Sequence, residues 1–134
     1  MTLTFTWSFN KQFANEFKAF PKDQQDKILD FLDVYEEHGM SDFSCFPGKL
    51  CCSWRGLDDT DPNYHYSIAN NLWHYHVGLP VYVSVHPGFM TSDWVLHLQW
   101  ERGSTHIDIA DMYTHHTADG QFYLPSPAYL RQAG

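Results

Sequence analysis

The chain has 134 residues, 43% hydrophobic and 17% aromatic, and sixteen acidic against eight basic side chains give it a formal charge of −8. That length suits one domain, with enough apolar surface to build a core without a disulfide framework or a structural metal, and it is too short for two ordinary domains. The net charge repels polyanions at long range and counts against simple sequence-independent nucleic-acid binding, and no stretch approaches the roughly 20 apolar residues that span a bilayer.

Further along the same line, the N-terminus has no basic run followed by an apolar stretch, and the three cysteines, Cys45, Cys51 and Cys52, lack the spacing of a secreted scaffold. A single cytoplasmic domain over residues 1–134, away from membranes, is expected. The acids gather before residue 62, whereas eight of the nine histidines follow it, so an anionic ligand should meet a histidine-rich face rather than the acidic one.

In chain order, Thr4-Phe5-Thr6-Trp7-Ser8-Phe9 alternates polar with apolar and reads as a half-buried strand. Asn10 then caps a helix through Phe20, with Phe13, Phe17 and Phe20 on one side. A second helix runs from Pro21 to His38, with Asp23 and Asp26 near its N-terminal end, an apolar stripe of Ile28, Leu29, Phe31, Leu32 and Tyr35, and Gly39 as its stop. After residue 40 the pattern changes to strands, best defined at Tyr64–Asn70, Leu72–Val77, Trp94–Trp100 and Thr105–Tyr113, the last two joined by a turn at Glu101-Arg102-Gly103-Ser104. Residues 122–127 read as a short edge strand, followed by a helical turn holding Tyr129 and Leu130. The expected fold is α+β: an N-terminal strand and two antiparallel helices on one face of a mostly antiparallel, twisted sheet of about 4–6 strands.

This element order, together with Phe13-Ala-Asn-Glu-Phe17 leading into Pro21-Lys-Asp-Gln-Gln-Asp-Lys-Ile28, then Gly39 and Phe46-Pro-Gly-Lys-Leu50, resembles the helical half and following strand of the RelE/ParE superfamily of toxin-antitoxin ribonucleases and gyrase inhibitors. Arg55-Gly-Leu57 sits where those toxins often carry a basic residue, and Ile109-Ala-Asp-Met-Tyr-Thr-His-His116 is similar to their last strand, which in several members ends in a catalytic His or Tyr. The segment Pro80 to Ser92 is an insertion relative to shorter members. The resemblance implies a type II toxin that cleaves mRNA without a metal or other cofactor. Its partners would be RNA, free or on the ribosome, and a cognate antitoxin whose basic segment covers the acidic helices.

RNA cleavage of this kind needs a base for the 2′-hydroxyl proton, an acid for the leaving 5′-oxygen and a cation to stabilise the phosphorane. Histidine, with an unperturbed pKa of ~6.5, suits both proton transfers. His115, His116, Tyr113 and His74 are the candidate acid and base residues, with Arg55 or Arg102 as stabiliser. Trp73 or Tyr75 would stack a base, and His76, Arg102 and Lys49 would contact the RNA. The same residues have plainer uses: His74 and His76 as packing on a sheet face, His115 and His116 as solvated turn residues, and Arg55 as a partner of Asp58 or Asp59. His97 and His106 are expected to face each other across the hairpin, and Trp94 and Trp100 to lie in the core.

Two other functions stay open. His74-x-His76 with His106 or Asp108 would form an open metal site of a hydrolase. A non-catalytic binding protein of the same fold is the other.

Overall fold

The N-terminal alternation becomes strand β1, Thr6–Phe9, which sends Trp7 and Phe9 toward the core while Thr6 and Ser8 face the other way. The computed structural model describes residues 4–40, 43–46, 48–77, 83–86, 89–91, 94–114 and 123–130. Helix α1 covers Lys11–Phe17, shorter than expected, because residues 18–20 tighten into a turn. Asn10 stands at its N-cap without capping it: Nδ2 donates instead to Gln99 Oε1 at 2.9 Å and to the Tyr129 carbonyl at 3.0 Å, tying the helix start to the sheet and the C-terminal segment. Phe13, Phe17 and Phe20 cluster with Phe9 as the spacing predicts.

Helix α2, Lys22–His38, buries Ile28, Phe31, Leu32 and Tyr35. Leu29 leaves the expected stripe and is 42% exposed among acidic neighbours, since it lies about 100° of helical rotation from Ile28. Gly39 ends the helix at φ +67°, its N–H donating to the Tyr35 carbonyl at 2.7 Å.

Strands β2 (Leu50–Cys52), β3 (Leu72–His76), β6 (Trp94–Gln99) and β7 (His106–Thr114) join β1 in one sheet of order β1-β7-β6-β3-β2. β1 runs parallel to β7 and every other pairing is antiparallel. Between β3 and β6 in the chain, β4 (Val83–His86) and β5 (Phe89–Thr91) pair antiparallel in a separate two-stranded sheet. One face of the large sheet carries Trp73, Tyr75, Leu96, Leu98, Ile107, Ile109 and Met112 against α1 and α2, and this is the main core.

The strand expected at Tyr64–Asn70 is instead helix α3, Pro62–Ala69. Asp61 caps it, accepting from the Asn63 N–H at 2.8 Å, and Pro62 occupies the first turn, where its missing N–H costs nothing. Asn71, at φ +52°, turns the chain from α3 into β3. Residues 123–126 carry no strand; the C-terminal turn is a 3-10 helix at Pro127–Tyr129.

Candidate functional site

The face of the sheet turned away from α1 and α2 holds the polar side chains. In β2, Leu50 enters the core, so Cys51 points to the opposite face, paired in register with His74 of β3. The chain then turns through Ser53–Leu57, closed by Arg55 N–H to the Cys52 carbonyl at 3.3 Å and Leu57 N–H to the Trp54 carbonyl at 3.2 Å, with Gly56 at φ +81° where a side chain would be strained. This turn brings Arg55 beside Lys49, Ser53 and His74 around an open cleft of about 390 Å³, completed by Cys51, Gly56 and Leu57. Ser53, itself buried, hydrogen-bonds His74 Nδ1 through Oγ at 3.0 Å and so orients the imidazole. The cleft concentrates two cations, a histidine and a hydroxyl in a chain that is acidic overall.

Across the same face runs a row of in-register residues: Cys51 with His74, His74 with His97, and His97 with Asp111. All four are buried. The rings of His74 and His97 are 6.2 Å apart, and that of Tyr123 is 5.4 Å from His97. Asp111 reaches this face because of a β-bulge: the register slips between His97 and Leu98, so that β7 places Ala110 and Asp111 in succession away from the helices. Its Oδ1 accepts from the Met112 N–H at 2.8 Å, and its Oδ2 from the Tyr123 hydroxyl. Burial pushes the Asp111 carboxyl up to about 6 despite these two donors. Burial, then the bond to Asp111, pushes the Tyr123 phenol well above its ordinary value.

A third polar group lies where β1 meets the start of β7. Thr6 Oγ1 is 2.8 Å from His106 Nδ1, Ser8 Oγ donates to Asp108 Oδ1 at 2.8 Å, and His106 Nε2 is 3.2 Å from the same Asp108 oxygen. These are cross-strand pairs in register, Thr6 with His106 and Ser8 with Asp108.

Of the residues singled out in the sequence, His74, Arg55 and Lys49 meet in the cleft. His76 is buried beside His74 at 5.8 Å between rings. Tyr113 is 44% exposed on the same face, in register with Val95 and packed on Tyr123 at 4.4 Å. His115 and His116 lie outside the described residues.

Trp73 and Tyr75 require correction. Both are 2% exposed and belong to the helix-side core, Trp73 against Trp54 and Trp100, Tyr75 against Phe31 and Phe46, so neither ring is available to stack a base. The alternation that aims His74 and His76 at one face necessarily sends Trp73 and Tyr75 to the other. Arg102 sits in the β6–β7 turn with its guanidinium 5.2 Å from the Trp73 ring centre, on the core side and apart from His74.

His97 pairs with Asp111 and not with His106: the β6–β7 register sets Gln99 opposite Asp108, so His106 falls beyond the end of β6, and it belongs to the β1 edge. Hence the set His74, His76 and His106 does not converge, and among the described residues no three His, Cys, Asp or Glu side chains are grouped as for a metal ion. Sequence reasoning missed Ser53 and the Asp111–Tyr123 pair. Ser53 carried no pattern, and Asp111 fell on the wrong face of any strict alternation. Comparison of the chain with protein-family models, with curated proteins and with solved structures found no match in any of the three.

Proposed function

We propose that the cleft between the β2 turn and β3 binds and cleaves single-stranded RNA, and that the protein acts as a toxin-type endoribonuclease. The observation that carries this reading is the meeting of Lys49, Arg55 and His74, which are 25 residues apart in sequence at the extremes, in one open cleft. A phosphodiester needs cations near its non-bridging oxygens and a proton acceptor near the 2′-hydroxyl, and these three side chains supply both. His74 takes the 2′-hydroxyl proton as that oxygen attacks phosphorus. The bond to the 5′-oxygen then breaks, and the departing oxygen receives a proton from the now charged His74, or from Tyr113, His115 or His116. The products are a 2′,3′-cyclic phosphate and a free 5′-hydroxyl. Arg55 and Lys49 hold the charge that builds on the phosphorane, and Ser53 fixes the imidazole while this happens.

The reading includes an antitoxin. The outer face of α2 exposes Asp23, Asp26, Asp30, Asp33 and Glu37 around Leu29, and suits a basic segment with an apolar anchor.

Induced expression in bacteria, with growth followed and new RNA 5′ ends mapped, tests the proposal. Wild type should arrest growth and create new 5′-hydroxyl ends. A Lys49→Ala/Arg55→Ala variant, altered only at the cleft rim, should fold normally by circular dichroism and do neither. Unimpaired growth with unchanged RNA in wild type, or full cleavage by the folded variant, would overturn it.

A further inference from the structure

We propose that Asp111, acting through His97, is a positioning residue that sets the protonation of His74 in the cleft. This rests on the reading of His74 as the proton-transferring group. The geometry behind it is the transverse row His74–His97–Asp111, three residues in register on three adjacent strands, all on the face away from the helices. Neighbouring strands lie about 4.8 Å apart, so Asp111 and His74 are separated by roughly 10 Å with the His97 ring between them. His97 is fully buried, and Asp111 and His74 are only 3% and 7% exposed, so little water screens one charge from the next.

The bulge supports a dedicated role. It inserts one residue into β7, where strict alternation would have put Asp111 into the apolar core, and thereby turns the carboxyl into line with the two histidines. The carboxyl is also held, by the Met112 N–H on one oxygen and by the Tyr123 hydroxyl on the other.

Among the described residues, titratable and charged groups face the row from its own strands, from α1, from the β2 turn and from the C-terminal segment. Asp111 is faced by His97 from β6, by Tyr113 on its own strand, by Tyr123 and Tyr129 from the C-terminal segment and by Glu16 from α1. Around His74 stand His76 on its own strand, His97 from β6, and Cys51, Lys49 and Arg55 from β2 and its turn. Lys49 and Arg55 favour a neutral imidazole, as a base requires, whereas an ionised Asp111 pulls a proton toward the histidines.

Nuclear magnetic resonance titration of the histidine ring protons tests this without any RNA. Asp111→Asn should lower the midpoint of His74 by about one pH unit, the size expected for charges roughly 10 Å apart at an effective dielectric constant near 20. Tyr123→Phe, which keeps the carboxyl but removes its donor and so leaves it protonated to higher pH, should lower it in the same direction, and decides the matter should Asp111→Asn not fold. Asp108→Asn, on the same face of the same strand but bonded to Ser8 and His106, should leave His74 unchanged.

A His74 midpoint that stays put in the folded Asp111 or Tyr123 variant, or that moves as much in Asp108→Asn, overturns the inference. Because the readout is the imidazole itself, a protein that cleaves no RNA would sink the ribonuclease reading and leave this result standing. Where cleavage is present, the acidic limb of its pH profile should move with the His74 midpoint, which a merely structural Asp111 would not cause.

Discussion

Gly39 shows how closely single residues are constrained. It ends α2 at φ +67°, and a Cβ added there would collide with the Phe5 ring. Gly39→Ala therefore meets both a left-handed backbone and a packed aromatic, and urea unfolding should show a loss of roughly 1–3 kcal/mol. Asp111 makes the opposite kind of demand, since its carboxyl is raised from 3.8 to about 6 in the folded chain. The folded protein then holds this proton more tightly than the unfolded chain, so stability falls as pH rises from about 3.8 through about 6. The fall attributable to this one group is on the order of 2–4 kcal/mol, and Asp111→Asn should flatten it in urea midpoints taken from pH 4 to 7. Tyr35 is a third case. Its hydroxyl is 2.8 Å from the carbonyls of both Thr6 and Thr105, bridging the two chain segments from which β1 and β7 start, while burial pushes its phenol up to about 12.

Among the elements, α3 and the expected edge strand at 122–127 are the ones that local pattern misread, and α3 is the instructive case. Tyr-His-Tyr-Ser-Ile-Ala alternates well enough to pass for a strand, but Asp61-Pro62 is a helix start, and the Asp61 carboxylate meets the Asn63 N–H that would otherwise lack a partner. Asp61→Ala should cost about 1 kcal/mol of stability and slacken α3. Amide hydrogen exchange should show this first at residues 63–66. The strands are a contrasting case. β3 and β6 matched their expected ranges closely because Trp73, Tyr75, Leu96 and Leu98 alternate with histidines, and a face that must be buried pins the register. That same alternation should have excluded Trp73 and Tyr75 from the RNA surface once His74 and His76 were placed on it. β1 pairs parallel with β7, and the chain from α1 through β6 that lies between them supplies the long connection a parallel pair requires.

At the level of the whole molecule, a formal charge of −8 surrounds a cleft with two cations. Single-stranded RNA bound there would displace few counterions, so log K against log salt should have a slope of only about −1 to −2, against much steeper values for basic RNA-binding proteins. Filter binding over a range of salt concentrations would measure it, and a much steeper slope would point to a larger basic surface than this cleft. No described helix is long and apolar enough to cross a membrane.

By itself, the sequence determined the α+β class, the amphipathic second helix with its glycine stop, the core tryptophans, and the pairing of His74 with His76 on one face. These follow from periodicity, and periodicity is a property of neighbours along the chain. What only the tertiary structure decided is which distant residues share a surface. The turn after β2 carries Arg55 back over His74, the bulge between β6 and β7 turns Asp111 toward His97, and the register of those two strands keeps His97 from His106. A cleft and a bulge are set by the pairing of strands that are far apart in sequence, and no local pattern in residues 49–57 or 106–114 encodes either.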